Sequence, residues 1–277
     1  EGAARVTAPR ILIFDSGMGG LTVASCVRAQ SPEADLVYAA DNAGFPYGAW
    51  KEDALVARIV LVVGALIAHT KPDIVVIACN TASTLAMGAL REKFAVPFVG
   101  TVPAIKPAAA LSKTNVIGVL ATPGTVSREY TRALIHTYAF HCEVILHGAG
   151  HLAEIAERKL KGEAPDLEKV RQEISPVFRT KDGKKTDVVV LGCTHYPLLV
   201  EEMKLVAPWE VDYLDPAPAI ARRVADVLSN ARQLGAGGAA PMANTVLLTS
   251  PDGNALRSLT AYTRMGFSTH EIIDLPV

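Results

Sequence analysis

The chain has 277 residues, half of them hydrophobic and only 20% charged, which excludes a disordered or low-complexity scaffold and leaves room for one large core or two modest ones. Lys and Arg total 27 against 28 Asp and Glu, a formal net charge of -1. Such a balance offers no general attraction for nucleic acid or an anionic membrane and favours work on small molecules.

Residues 1–10 lack the apolar core of a signal peptide, so they read as a loose tail and the cytoplasm as the default compartment. Apolar runs of strand length then follow at Ile11–Phe14, Leu36–Ala40, Ile74–Ala78, Val116–Leu120, Glu143–Leu146, Val188–Leu191 and Thr245–Leu248. Amphipathic segments of helix length lie between them at Asp53–Ala68, Ser83–Phe94, Val126–Tyr138, Leu152–Lys161, Leu167–Phe178 (kinked by Pro176) and Ala217–Leu228. This alternation predicts parallel α/β structure. The longest apolar stretch, Ile59–Ala68, is too short to cross a bilayer and reads as part of a buried helix.

Pro97–Pro107 and Pro208–Pro218 are the linker candidates. If the second is a return crossing, residues 1–102 plus 212–277 form one α/β domain and 103–211 another. Ligands on open α/β sheets bind beyond the carboxyl ends of the strands, so two facing domains place Asp15, Cys79, Thr122 and Cys193 around one cleft.

Asp15-Ser16-Gly17-Met18-Gly19-Gly20 sets a carboxylate and a hydroxyl at a strand end, before glycines that allow close backbone approach. The spacing matches neither the phosphate loop nor the dinucleotide fingerprint. Asp41 to Gly48, containing Tyr47, is a turn-rich loop at the same sheet edge. Gly118 to Thr125, with Thr122 and Thr125, is a second strand-to-helix turn.

Four cysteines without a Cys-x-x-Cys pair exclude a disulfide scaffold and a zinc ribbon. Cys26 and Cys142 read as packing residues. Cys79 and Cys193 differ, because each ends a buried strand, follows an Asp six residues earlier and precedes polar residues, Asn80-Thr81 and Thr194-His195. The repeated pattern suggests an internal duplication. A thiol at a helix N-terminus has its thiolate favoured by the macrodipole, and His195 stands close enough in sequence to orient or protonate a neighbouring group.

Four motifs in register, Asp15 to Gly20, Pro46-Tyr47-Gly48, Ala78 to Ser83 and Gly192 to Pro197, make the chain resemble the glutamate racemases of the aspartate/glutamate racemase superfamily, from about Ile11 to near the C-terminus. That resemblance implies a cofactor-independent isomerase with two α/β domains that supplies D-glutamate for peptidoglycan. It implies Cys79 and Cys193 as the acid/base pair, assisted by Asp15 and His195 respectively. Asp15, Ser16, Tyr47, Gly48, Asn80, Thr81, Thr194 and His195 are then the substrate contacts, with Asp41, Thr122, Thr125 and Glu157 as weaker candidates. Glu157 matches a glutamate that some members place near the second cysteine, yet Glu154, Glu157, Arg158 and Lys161 also have the spacing of a solvated, charge-paired helix face.

Neither a metal nor an organic cofactor is expected; a cell-wall-precursor activator and a homodimer are consistent with the resemblance. Three competing readings stay open at this level: a racemase of aspartate or a hydantoin, a zinc enzyme using Asp15, Cys79, Cys193 and His195, and a non-catalytic amino-acid-binding protein. The two matched thiols argue against the last, since binding a carboxylate needs no thiolate.

Overall fold

Strands buried on both faces need continuous apolar sequence and helical crossovers, and the chain supplies both. The computed structural model describes residues 8–231, 242, 244–251 and 255–275. In chain order these form β1 (Arg10–Asp15), α1 (Leu21–Gln30), β2 (Asp35–Ala40), α2 (Glu52–Thr70), β3 (Ile74–Ile77), α3 (Asn80–Lys93), β4 (Phe98–Gly100) and α4 (Ile105–Leu111). Then come β5 (Val116–Ala121), α5 (Pro123–Val126), α6 (Glu129–Tyr138), β6 (Glu143–Gly148), α7 (Leu152–Leu160), α8 (Leu167–Ile174), the small hairpin β7 (Thr180–Lys181) and β8 (Lys184–Lys185), and β9 (Val188–Gly192). The chain ends with α9 (Val200–Val206), β10 (Asp212–Leu214), α10 (Ala217–Ala231), β11 (Thr245–Leu248), α11 (Ala255–Arg264) and β12 (Thr269–Ile272).

Two parallel sheets result, with strand orders β12-β11-β2-β1-β3-β4 and β10-β9-β5-β6. The order β2-β1-β3-β4 recurs as β6-β5-β9-β10, so β1 corresponds to β5 and β3 to β9. The correspondence reaches the amino ends of the strands. Asp73, before β3, accepts the N–H of Arg10, while Asp187, before β9, accepts those of Lys113 and Thr114. These are the two aspartates that precede the cysteines by six residues.

Alternate residues of β1 enter opposite cores. Ile11 and Ile13 pack with α1, α10 and α11, and Leu12 and Phe14 with α2 and α3. In the second sheet Val188 and Val190 face α4 and α6, while Val189 and Leu191 face α7, α8 and α9. Helix α2 is longer than the run Ile59–Ala68 suggests: with 19 residues and a mean hydropathy of 1.8 it is long and apolar enough to cross a membrane by length and composition. Its inner face, Leu55, Ile59, Val62, Val63 and Leu66, is buried in the first-sheet core.

Several expectations need correction. Both linker candidates contain an edge strand, β4 and β10, and each runs into the start of a helix, α4 and α10. Because β10 pairs with β9, residues 212–214 belong to the second sheet, and the chain returns to the first lobe after Leu214 instead of at 212. Arg10 is no part of a loose tail; it starts β1, is buried, and pairs with Asp35 at 2.8 Å. Pro176 does not kink a helix but lies in the 3-10 turn Ser175–Val177 that follows the end of α8.

Tyr38, fully buried in β2, donates its hydroxyl to the Gly17 carbonyl at 2.7 Å and so supports the glycine turn from below. Tyr38→Phe leaves that carbonyl unsatisfied and is expected to cost about 1–3 kcal/mol, read as a lowered thermal unfolding midpoint.

Candidate active site

The carboxyl ends of both sheets face one another, as strand direction requires. Between them lies a cavity of about 260 Å³ lined by Ser16, Tyr47, Gly48, Cys79, Asn80, Thr81, Thr122, Cys193, Thr194 and His195, together with Phe45, Pro46 and Ala149 among others. Cys79 and Cys193, one from each lobe, are each only 7% exposed. Both polar atoms of the Asn80 side chain are buried without a partner, a costly state unless a ligand answers them. Thr81 and Thr122 meet across the cavity at 3.2 Å, and Thr122 bonds Thr125 at 3.0 Å. Thr125 is fully buried behind that contact.

The two thiols are served differently. Cys79 stands at the N-cap of the 14-residue helix α3, without a side-chain capping hydrogen bond, and approaches the Ser16 hydroxyl at 3.9 Å; the nearby backbone of Ala82 favours its thiolate. Burial outweighs these, and with the nearby Asp15 carboxylate it pushes the Cys79 thiol up to about 12. Cys193 precedes only a short 3-10 turn, Tyr196–Leu199, and has the His195 Nδ1 at 3.8 Å instead. Burial disfavours the His195 imidazolium, but hydrogen bonds and charge from Cys193 and Glu157 override it and hold the ring well above the usual histidine range.

Asp15 does not line the cavity. It is fully buried beneath it, accepting the N–H groups of Gly17 at 3.2 Å and Gly20 at 3.1 Å and the Thr194 hydroxyl at 3.3 Å. In this structure its place is to organise the glycine turn and the second-lobe Thr194. Burial raises its carboxyl above the ordinary range, against the pull of His195 and the two backbone donors. Asp41 is also fully buried and outside the cavity; it accepts the Tyr47 hydroxyl at 2.6 Å.

The solvated-face reading of Glu157 is overturned. Arg158 and Glu154 do pair on the exposed side of α7, but Glu157 turns inward, 8% exposed. Its Oε1 lies 2.7 Å from His195 Nε2 and accepts the Met18 N–H of the opposite lobe at 2.5 Å. The sequence carried the signal: Leu152, Ala156 and Glu157 share the buried stripe of α7. The glycines now acquire a reason, because a Cβ on Gly17 would collide with the Glu157 carboxylate and one on Gly19 with the His195 ring. Among the described residues no group of three or more His, Cys, Asp and Glu is arranged to hold a metal ion.

A two-lobed parallel α/β enzyme that presents one thiol from each lobe to a shared pocket is the class that this fold and site define. The family model for Asp/Glu/Hydantoin racemase matches residues 22–224. The glutamate racemase of Brucella canis is 56% identical over 219 residues, 79% of each chain. In structure, the Escherichia coli glutamate racemase, solved with L-glutamate and the activator UDP-MurNAc-Ala, aligns with a TM-score of 0.90 at 41% identity, over 98% of this chain and all of that one. A glutamate racemase isoform of Bacillus anthracis aligns with a TM-score of 0.78 at 26% identity, over 98% and 99% of the two chains. The chain belongs to the Asp/Glu/Hydantoin racemase family, and its likeness in both sequence and structure is to glutamate racemases.

With its thiol held far above neutral pH, Cys79 in the unliganded protein is protonated, and its thiolate fraction climbs tenfold per pH unit. Alkylation of Cys79 by iodoacetamide, followed by peptide mass spectrometry in a Cys193→Ser background, is expected to keep that slope from pH 7 to 10. A plateau near the free-thiol value of about 8.5 would contradict it.

Proposed function

We propose that Cys79 and Cys193 divide the acid and base work of a glutamate racemase between them. The enzyme interconverts L- and D-glutamate. Racemisation removes the weakly acidic Cα proton from one face and returns a proton to the other, so two groups on opposite sides are required. The observation that carries the reading is the placement of two thiols at corresponding strand ends of opposing lobes, each with its own supporting groups. In one direction Cys193, with His195 and Glu157 behind it, takes the proton of L-glutamate as thiolate while Cys79 donates as thiol. In reverse Cys79 takes the proton of D-glutamate and Cys193 donates.

Charge developing at the substrate carboxylate calls for donors already in place. Asn80, Thr81, Thr194 and Ser16 stand at the cavity wall for this purpose, with the backbone of Tyr47 and Gly48 on the opposite rim. The ammonium group of the incoming amino acid supplies the positive charge that a buried Cys79 thiolate lacks in the empty site. Asp15 and Glu157 act from behind, the first on the glycine turn and Thr194, the second on His195.

The product suits peptidoglycan synthesis in the cytoplasm, and a nucleotide-sugar activator like the one bound to the Escherichia coli relative would meet this chain at the paired crossovers. There a cavity of about 620 Å³ is lined by Lys106, Arg222 and Arg223 against one carboxylate, Asp215, with the Thr101 hydroxyl buried and unpartnered. The cavity of similar size beside Gly17 has Arg158 and Lys161 against Glu154, Glu157 and Glu163, a poorer place for a diphosphate.

A coupled or polarimetric assay without added cofactor tests the activity, with aspartate turned over far more slowly than glutamate. Cys79→Ala and Cys193→Ala should each abolish racemisation in both directions. In deuterated water, early product should carry deuterium at Cα while remaining substrate keeps protium; transfer of the original proton into product would indicate a single base. Glu157→Gln should lower kcat/KM about 10²- to 10⁴-fold, the range of a lost acid/base assistance, and shift the pH limb that reports His195.

A further inference from the structure

Asp41 is more than a turn residue, because four donors from three segments converge on its fully buried carboxylate. Oδ2 accepts the Tyr47 hydroxyl at 2.6 Å and Arg58 Nε at 2.8 Å. Oδ1 accepts Arg58 Nη2 at 2.6 Å and the Thr249 hydroxyl at 2.7 Å. The guanidinium thus grips the carboxylate through two parallel bonds, the strongest and most directional form such a pair takes. Its other contacts tighten the same turn. Arg58 lies over the Trp50 ring at 5.4 Å, and the Trp50 indole N–H donates to the Gly44 carbonyl at 2.9 Å. Arg58 itself sits on α2 and is not among the residues that line the cavity.

The turn matters because residues 45–49 form one wall of the thiol cavity. Tyr47 presents its ring there while its hydroxyl is turned away to Asp41, so the phenol is committed to the framework and not offered to a ligand. Beside it, Gly48 is exposed and a Cβ there would meet nothing within 4 Å, so the 45–49 segment has few packing partners of its own on that side.

We propose that Arg58 is a positioning residue for substrate binding: through Asp41 it fixes Tyr47, and through Tyr47 the 45–49 wall against which glutamate is held. The inference rests on the racemase reading above. Removing the guanidinium leaves a buried carboxylate with two hydroxyl donors where it had a bidentate cation, an under-paired buried charge that the turn can relieve only by moving. The wall loosens. The thiols, on β3 and β9, keep their supports, so binding suffers before chemistry does.

The test is steady-state kinetics with both enantiomers on wild type, Arg58→Gln, Arg58→Lys, Thr249→Val, Tyr47→Phe and the Arg58→Gln/Tyr47→Phe double variant, with circular dichroism to establish folding. For Arg58→Gln, KM for L- and D-glutamate should rise about tenfold or more while kcat changes less than about threefold, the pattern of lost uniform binding. Arg58→Lys should recover part of the loss, and Thr249→Val, which removes one bond to Oδ1, should move KM the same way by a smaller factor. In the Tyr47→Phe background the Arg58→Gln effect should largely vanish, since residues acting through one another are not additive. A folded Arg58→Gln with unchanged KM, a fall confined to kcat, or full additivity with Tyr47→Phe overturns the positioning role. Should Arg58→Gln not fold, unchanged KM in both Arg58→Lys and Thr249→Val does the same. A wild-type chain that does not racemise glutamate overturns the functional reading, which the same assay reports separately.

Discussion

One carboxylate, that of Glu157, ties the two lobes to each other and to the chemistry. It leaves α7 of the second lobe, takes the Met18 N–H of the first, and holds the His195 ring that stands beside Cys193. The same carboxylate thus carries a contact between the lobes and, within the second lobe, part of the support of the imidazole. The glycine turn is shaped by this contact, because only glycines at 17 and 19 let the carboxylate and the ring come so close to the backbone. Asp15 answers from the other side by holding both that turn and Thr194.

A repeated strand order does not yield repeated chemistry. The loop after β3 opens the 14-residue α3 directly at Cys79, whereas the loop after β9 opens the 3-10 turn Tyr196–Leu199, which begins beyond Cys193 and leads into the short α9. A long helix offers aligned N–H dipoles to its first residue and a 3-10 turn offers few. Cys79 can draw on the former; Cys193 needs a neighbouring ring and, behind the ring, a carboxylate. Two lobes of the same strand order thus surround their buried thiols with different supporting groups.

Much of this was legible in the sequence. The buried parallel strands read as unbroken apolar runs, and the two cysteines stood out because their contexts matched. What escaped did so for definable reasons. β4 and β10 are three residues each among prolines, and β12 is a four-residue edge strand, Thr-His-Glu-Ile, exposed along its length; none carries enough apolar sequence to register. Glu157 was masked by its charged neighbours, although its place on the stripe of Leu152 and Ala156 pointed inward. That Asp15 and Asp41 lie behind the wall instead of on it depends on which lobe covers which strand end, information no local pattern contains.

The near-complete enclosure of the thiols has a consequence for how turnovers follow one another. On the two-thiol reading proposed above, conversion of one enantiomer leaves the two sulfur protons exchanged: the former base is protonated and the former acid is bare. In that form it is prepared for the reverse reaction, so it carries a memory of the last molecule it handled. Erasing that memory requires solvent to reach sulfur atoms of residues that are only 7% exposed. On that reading, resetting is a separate step of the cycle, distinct from the barrier at Cα.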